Sequence, residues 1–180
     1  MAGGLETLCG QAFGAEQYEK FGLYTHTAII SLLLVSIPIT ILWTFMDKIL
    51  ILLHQDPIIS LQARKYALCL IPALFGSAIL KPLTRFFQTQ SLIFPMILTS
   101  ALVLCFHVVT CWILVFKLEL GHVGAAIAFS FCVWLNVMLL LSFVRFSSAC
   151  DKTRIPFSSK ALLGVGEYFR FAVPSAVMVW

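Results

Sequence analysis

Four long stretches without Asp, Glu, Lys or Arg fill the middle of this chain and limit most strongly what it can fold into. They run over Thr25–Met46, Tyr66–Leu80, Ser91–Phe116 and Val123–Val144. A bilayer core of about 30 Å needs about 20 apolar residues in helical form. Lipid offers the backbone no hydrogen-bond partners, so such segments must bond internally as helices. The sequence therefore predicts an all-α polytopic membrane protein with about four complete transmembrane helices.

Composition supports this class and argues against several others. Hydrophobic residues make up 61% of the chain and charged residues 11%, with a mean hydropathy of +0.99, whereas soluble domains carry about 25% charged residues. The six cysteines form no Cys-x-x-Cys pair, so we expect free thiols and no metal site or disulfide framework. The net charge of +4 comes without a basic run, so we do not expect a nucleic acid as partner. The long apolar stretches make a lipid bilayer the expected partner.

Both ends of the sequence resemble parts of helices. Met1–Ala15 is too short to cross a bilayer and is predicted to be the last turns of a helix. Ala161–Trp180 becomes strongly apolar only after Arg170 and then stops. We therefore expect partial helices at both ends, flanking the complete spans.

The basic residues indicate an orientation. When successive connections alternate between the two sides of a membrane, seven lysines and arginines fall on one side and four on the other, with Arg170 left out. Because Lys and Arg accumulate in cytoplasmic loops, the connections Phe13–Gly22, Phe86–Gln90 and Phe146–Lys160 are expected to face the cytoplasm.

Local signals mark a helix start and a packing surface. Asp56 followed by Pro57 is typical of an N-cap with proline at the first helical position, so we predict a helix that runs from there into the second span. Small residues are spaced four apart in two pairs, Gly121 with Ala125 and Gly124 with Ala128. Such pairs let helix backbones approach closely in lipid, which predicts a packing face.

Prolines recur in the apolar stretches and are candidate helix kinks. They are Pro38, Pro72, Pro95 and Pro174. Each removes a backbone hydrogen bond and tends to bend its helix. Broken helices of this kind can expose backbone groups to a cavity, but ordinary membrane helices also tolerate proline, so both interpretations stay open.

Three polar side chains in apolar surroundings are candidates for function, since ionisable groups are costly inside a bilayer. Glu6 could face a cavity or take up a proton, or it could simply be hydrogen-bonded near the boundary. His107 could relay protons or be neutral and bonded to a neighbouring helix. Asn136 could join helices by a hydrogen bond or contact a ligand. The sequence leaves each pair of alternatives open.

Another polar group follows the second span. Lys81 and Arg85 lie one turn apart, with Gln88 and Gln90 after them. They could contact lipid headgroups at the boundary or form part of a gate. No nucleophile elbow, phosphate loop or paired metal-ligand motif is present, and the four histidines are scattered, so we expect no catalytic residues, no metal site and no enzyme.

Several segments resemble one family throughout the chain and in the right order. Gly4–Ala15 resembles the end of the second helix in plant MATE (multidrug and toxic compound extrusion) transporters, the DETOXIFICATION family. Pro82–Ser91 resembles the family's segment between helices four and five, Gly121–Ala128 the start of helix six, and Phe171–Met178 the start of helix seven.

The resemblance implies a secondary antiporter of twelve helices in two lobes, with a central cavity that opens alternately to each side. It implies exchange of protons for small organic compounds at the vacuolar or plasma membrane, driven by the proton gradient without a cofactor. On this alignment, residues 1–146 form a partial N-lobe, 147–160 the cytoplasmic inter-lobe loop and 161–180 the start of helix seven. The missing second lobe would be the main packing partner.

In a transporter of this kind, the polar positions Glu6, Gln11, His107 and Asn136 are candidates for the transport pathway, and Lys81, Arg85, Gln88 and Gln90 are candidates for a gate or interface. The resemblance carries no coupling residue of the family onto this chain, and Glu6 matches only a recurring motif position. The helix-seven acidic residue that couples protons in the family would fall beyond Trp180. We therefore expect no transport by this segment alone. The alternative is a truncated, nonfunctional or structural membrane fragment that associates with another subunit.

Overall fold

The computed structural model describes residues 9–147 and Gly166, and within these ranges the chain is helical without strands. Residues 9–14 are helical (α1). The following helices are α2 (Tyr18–Thr44), α3 (Met46–Leu52), α4 (Pro57–Thr89), α5 (Ile93–Trp112), which continues into a π-helical turn (Ile113–Lys117), and α6 (Gly121–Phe146).

Four of these helices are long and apolar enough to cross a membrane, which confirms the predicted number of complete spans. Counting the π turn with α5, they contain 27, 33, 25 and 26 residues. At 1.5 Å per residue the 33-residue α4 extends about 50 Å, well beyond the hydrocarbon core. Its start is the predicted one, because the Asp56 carboxylate accepts a hydrogen bond of 2.7 Å from the backbone N–H of Ile58.

The boundaries of the spans differ from the apolar stretches. The first stretch was expected to continue to Met46, but α2 ends at Thr44 and a separate short helix, α3, follows Phe45. Two connections are also shorter than expected. Residues 18–22 belong to α2 and residues 86–89 to α4, since polar side chains at a membrane boundary are compatible with helix.

Tight turns make successive spans antiparallel. Helices α4 and α5 are separated by residues 90–92 only, and α6 follows the π turn after residues 118–120. Four connections each contain a non-glycine residue in the left-handed region: Glu16, His54, Ser91 and Glu119, with φ between 53° and 63°. A single left-handed residue ends a helix and reverses the chain, so the spans pack as neighbours.

Helix α4 is the centre of the bundle, with α2 on one side and α6 on the other, while α5 packs against α6. Ring contacts between Phe21, Phe86, Phe87 and Phe143 gather the start of α2 and the ends of α4 and α6. We call this the aromatic end. At the opposite end the guanidinium of Arg64 lies 3.2 Å from the carboxylate of Asp47. The connections therefore alternate between two ends, as the charge argument assumed.

Much apolar surface stays uncovered. Helix α5 buries only Pro95 and Val103, and Phe94 is 77% exposed. Because the exposed side chains of a spanning helix are themselves apolar, lipid or further protein must cover them. The chain is a multi-pass membrane protein whose bundle is open along α5.

The predicted small-residue face is confirmed at Gly124 and Ala128, both of which are buried. A Cβ atom built on Gly124 would lie 2.8 Å from the carbonyl oxygen of Leu114, in the π turn. Gly121 differs from the expectation: a Cβ there would meet nothing within 4 Å, but its φ of +53° suits glycine. Its role is conformational, at the turn that enters α6.

Candidate functional site

Hydrophobic side chains close the aromatic end of the described bundle. Phe21 and Phe87 are fully buried, and the Phe21 and Phe86 rings stack with centroids 5.1 Å apart. Cys9 and Ala12 of α1 belong to the same cluster. Apolar side chains thus fill the contact between the start of α2 and the ends of α4 and α6 in the part of the chain that the structure describes.

Gln11 lies beside this cluster on the exposed side of α1. It lines a depression of about 260 Å³ together with Gln17, Lys20 and Tyr24. The depression is open and mixed in polarity, so Gln11 is accessible at the aromatic end. Glu6, the other candidate from this helix, lies outside the described residues, and its role stays a prediction.

The four candidates for a gate or interface are placed at separate points of α4 and its end. Arg85 Nη1 donates a 2.9 Å hydrogen bond to Gln88 Oε1 within one turn, and Gln90 Nε2 donates to the Phe86 carbonyl at 3.3 Å. Lys81 lines a cavity of about 140 Å³ between α2 and α4, with Ser36 and Ser77. The Arg85 and Gln90 contacts are local to the helix end, whereas Lys81 faces a different space.

His107 is half-buried on α5, and its ring meets the Phe129 ring of α6 edge-on at 6.4 Å. Its buried Nδ1 has no hydrogen-bond partner among residues 9–147. A polar atom without a partner in an apolar environment costs about 1–3 kcal/mol. The position can therefore accept a further contact from a ligand, from water or from another part of the protein.

Asn136 is in the same situation on α6. Its side-chain Oδ1 is buried, and no donor for it lies in the described part of the chain. The amide does not bond to α4 or α5 through this oxygen. An interhelical bond or a ligand contact through this oxygen consequently requires a donor from outside the described residues.

The prolines fall into distinct environments. Pro38 lies inside α2, and Pro72 and Pro82 lie inside α4; Pro82 was not among the expected kinks. Pro95 is the third residue of α5, where no intrahelical bond is lost, so it does not kink that helix. Pro174 lies outside the described residues. At Pro72, Trp134 of α6 donates a hydrogen bond to the proline carbonyl at 2.9 Å.

The side chains that bond to the backbone near Pro72 were not predicted from the sequence. Ser130 and Trp134 lie four residues apart on α6, and both donate to backbone carbonyls of α4. A serine and a tryptophan one turn apart in a span, opposite a proline-containing span, are the signal that could have found them. Within the described ranges no three His, Cys, Asp or Glu side chains are grouped closely enough to hold a metal ion.

Comparison with known proteins places this arrangement. The chain is 54% identical over 179 residues to Protein DETOXIFICATION 14 of Arabidopsis thaliana and 51% identical over 178 residues to Protein DETOXIFICATION 9 of the same plant. Each match covers 99% of this chain and 37% of the relative. The chain thus spans little more than a third of the length of the curated relatives it matches.

Solved structures agree with the sequence comparison. The crystal structure of the eukaryotic MATE transporter AtDTX14 superposes with a TM-score of 0.94 at 54% identity, over 98% of this chain and 40% of that one. This confirms the predicted fold, a partial MATE-type N-lobe. The inward-facing conformation of a multidrug resistance MATE family transporter has the same fold, with a TM-score of 0.76 at 18% identity over 96% of this chain and 40% of that one. The family model for MatE matches residues 1–113, and the chain belongs to the MatE family.

Proposed function

We propose that this chain contributes one lobe to a proton-coupled antiporter that exports small organic compounds across a membrane. What supports the proposal is the identity of 54% over nearly the whole chain to a eukaryotic MATE transporter, with a TM-score of 0.94. The proton gradient would drive export without a cofactor, at the vacuolar or plasma membrane. The chain would act in transport and not as an enzyme.

The mechanism would be alternating access by two lobes around a site near the membrane midplane. The packed aromatic end would stay closed within this lobe, so that solute moves between lobes and not through one. The unpartnered atoms Asn136 Oδ1 and His107 Nδ1 would be completed by a second lobe or by substrate. Protonation would shift the relative stability of the two conformations, and with it the affinity for substrate.

The decisive experiment compares two lengths of the protein. The 180-residue chain and a version extended at both ends to the length of its relatives are expressed in transporter-deficient cells, and efflux of a fluorescent organic cation is followed with and without a proton gradient. We expect gradient-dependent efflux from the extended version and none from the short one, because a single partial lobe cannot enclose a cavity. Robust efflux from the short chain would overturn the two-lobe mechanism.

A loss of efflux in both would instead favour the second candidate function, a structural membrane fragment. The observation on its side is the uncovered apolar surface of α5, which buries only Pro95 and Val103 in the described bundle. Association with another membrane subunit, measured by co-purification of tagged chains from the same cells, would then be the expected activity.

Replacing Asn136 tests whether that amide contacts substrate or joins helices. In the extended version, Asn136→Leu is expected to lower gradient-dependent efflux about tenfold, equivalent to one lost hydrogen bond of about 1.4 kcal/mol. The unfolding temperature should stay equal or rise, because leucine removes an unpartnered buried oxygen. Met138→Leu, at a side chain that is 60% exposed, is the matched control. A lower unfolding temperature with unchanged efflux would assign Asn136 to helix joining.

A further inference from the structure

Two side chains of α6 bond to the backbone of α4 in the turn that ends at Pro72. Ser130 Oγ donates to the carbonyl oxygen of Cys69 at 2.8 Å, and Trp134 Nε1 donates to that of Pro72 at 2.9 Å. The donors are one turn apart on α6, and the acceptors are three residues apart on α4. The two bonds therefore hold the last turn before the proline and the proline itself.

Proline weakens α4 at this turn. Pro72 has no N–H, so the carbonyl of Leu68, four residues earlier, loses its intrahelical donor. The carbonyls of Cys69 and Pro72 each have two acceptor sites, so each can accept a bond from α6 in addition to one from its own helix. The use of Ser130 is unusual within this bundle, since Ser31, Ser36 and Ser142 all donate to the carbonyl four residues back in their own helix.

Gly76 gives the indole its access. It lies one turn after Pro72, and a Cβ atom there would be 2.8 Å from Cγ1 of Val133 and 3.4 Å from Nε1 of Trp134. A larger residue would require the Val133 side chain or α6 itself to shift, beside the carbonyl that Trp134 reaches. Gly76 lies in the interior of α4, so a turn does not explain the glycine there. The close approach of α6 does.

We propose that α6 locks α4 at Pro72 through Ser130 and Trp134, with Gly76 admitting the indole, so that α4 and α6 move as one rigid pair. Pro72 then does not act as a hinge of α4. The lock concerns the conformation of this lobe and does not depend on the proposed transport. Ser130, Trp134 and Gly76 are positioning residues, which keep α4 in one shape before and after Pro72.

The test measures the shape of α4 directly. Spin labels are placed at Gln62 and Gln88, two exposed positions on either side of Pro72, in the 180-residue chain reconstituted in lipid nanodiscs with its native cysteines replaced by alanine. Replacement at Cys69 leaves its acceptor in place, because Ser130 binds the backbone. The readout is the distribution of distances between the labels.

We expect Trp134→Phe, combined with Ser130→Ala, to shift and broaden this distribution, because the turn that ends at Pro72 loses both of its donors from α6 while an aromatic ring is kept. Trp112→Phe, at a tryptophan that is 58% exposed on α5, and Ser142→Ala, whose hydroxyl bonds within α6, are the matched controls and should leave it unchanged. Gly76→Ala keeps both donors but obstructs the indole, and should broaden the distribution as well.

Unchanged distributions in both the double variant and Gly76→Ala would overturn the proposal. If the double variant does not fold, Gly76→Ala decides alone. Because the labels report on helix shape without any transport assay, a failure of the efflux experiment would leave this result standing, and the reverse also holds.

Discussion

Phe87→Ala is expected to lower the free energy of unfolding of the 180-residue chain by about 3 kcal/mol, near the lower end of the range for buried Phe→Ala changes. Phe87 is fully buried at the aromatic end, where its ring centroid lies 5.8 Å from that of Phe86 and 5.7 Å from that of Phe143. Lipid gives little hydrophobic driving force between helices, so the loss comes from the missing contacts and the cavity.

The matched control for this prediction is Phe94→Ala. Phe94 is 77% exposed on α5, so the same truncation removes few protein contacts and should change stability by less than about 1 kcal/mol. Both variants are unfolded in mixed micelles of a mild detergent and SDS, followed by circular dichroism. Equal losses from Phe87→Ala and Phe94→Ala would mean that the aromatic end does not hold the bundle together.

The number of spans and one helix start could be predicted because each depends on local chemistry. Uncharged length predicts a membrane helix, and an aspartate before a proline predicts a cap, which Asp56 forms with the N–H of Ile58. The short helix α3 could not be predicted in this way. Asp47 and Lys48 show where the uncharged stretch stops, but they do not show that α2 ends at Thr44 and that a separate helix begins at Met46. The contact of α3 with α4, from Asp47 to Arg64, joins residues 17 positions apart in sequence.

Almost nothing in the sequence indicates where the tight turns between the helices lie. Left-handed residues are commonly glycine or asparagine, yet the chain uses Glu16, His54, Ser91 and Glu119. Short connections between packed spans impose this conformation, and the sequence tolerates it. The expected connections were therefore longer than the observed ones.

The candidate site was predictable by residue type but not by geometry. His107 and Asn136 stand out because polar groups are rare in spans, and both have an unpartnered buried atom in the described structure. The lock at Pro72 joins residues 61 and 62 positions apart in sequence. A single sequence contains the proline and the tryptophan, but it does not say that their helices lie side by side.

Gly124, like Gly76, lies where another part of the chain approaches closely because glycine has no side chain. We expect Gly124→Ala to lower the free energy of unfolding by about 1–2 kcal/mol and Gly124→Val by about 3 kcal/mol, as overpacking of a filled site does. A Cβ on Gly124 would lie 2.8 Å from the oxygen and 2.9 Å from the carbon of the Leu114 carbonyl. Backbone cannot rotate away as a side chain can, so α6 must separate from the π turn.

The same glycine-to-alanine change at Gly10 is the control that isolates this clash. A Cβ on Gly10 would meet nothing within 4 Å, and Gly10 is helical, so alanine should leave stability unchanged or raise it by up to about 1 kcal/mol through helix propensity. The same glycine-to-alanine change should therefore lower the free energy of unfolding at Gly124 and leave it unchanged or raise it at Gly10, both measured by unfolding in the same mixed micelles. A gain in stability from Gly124→Ala would show that the π turn yields, and that the close approach of α6 to Leu114 is not what fixes the open side of the bundle.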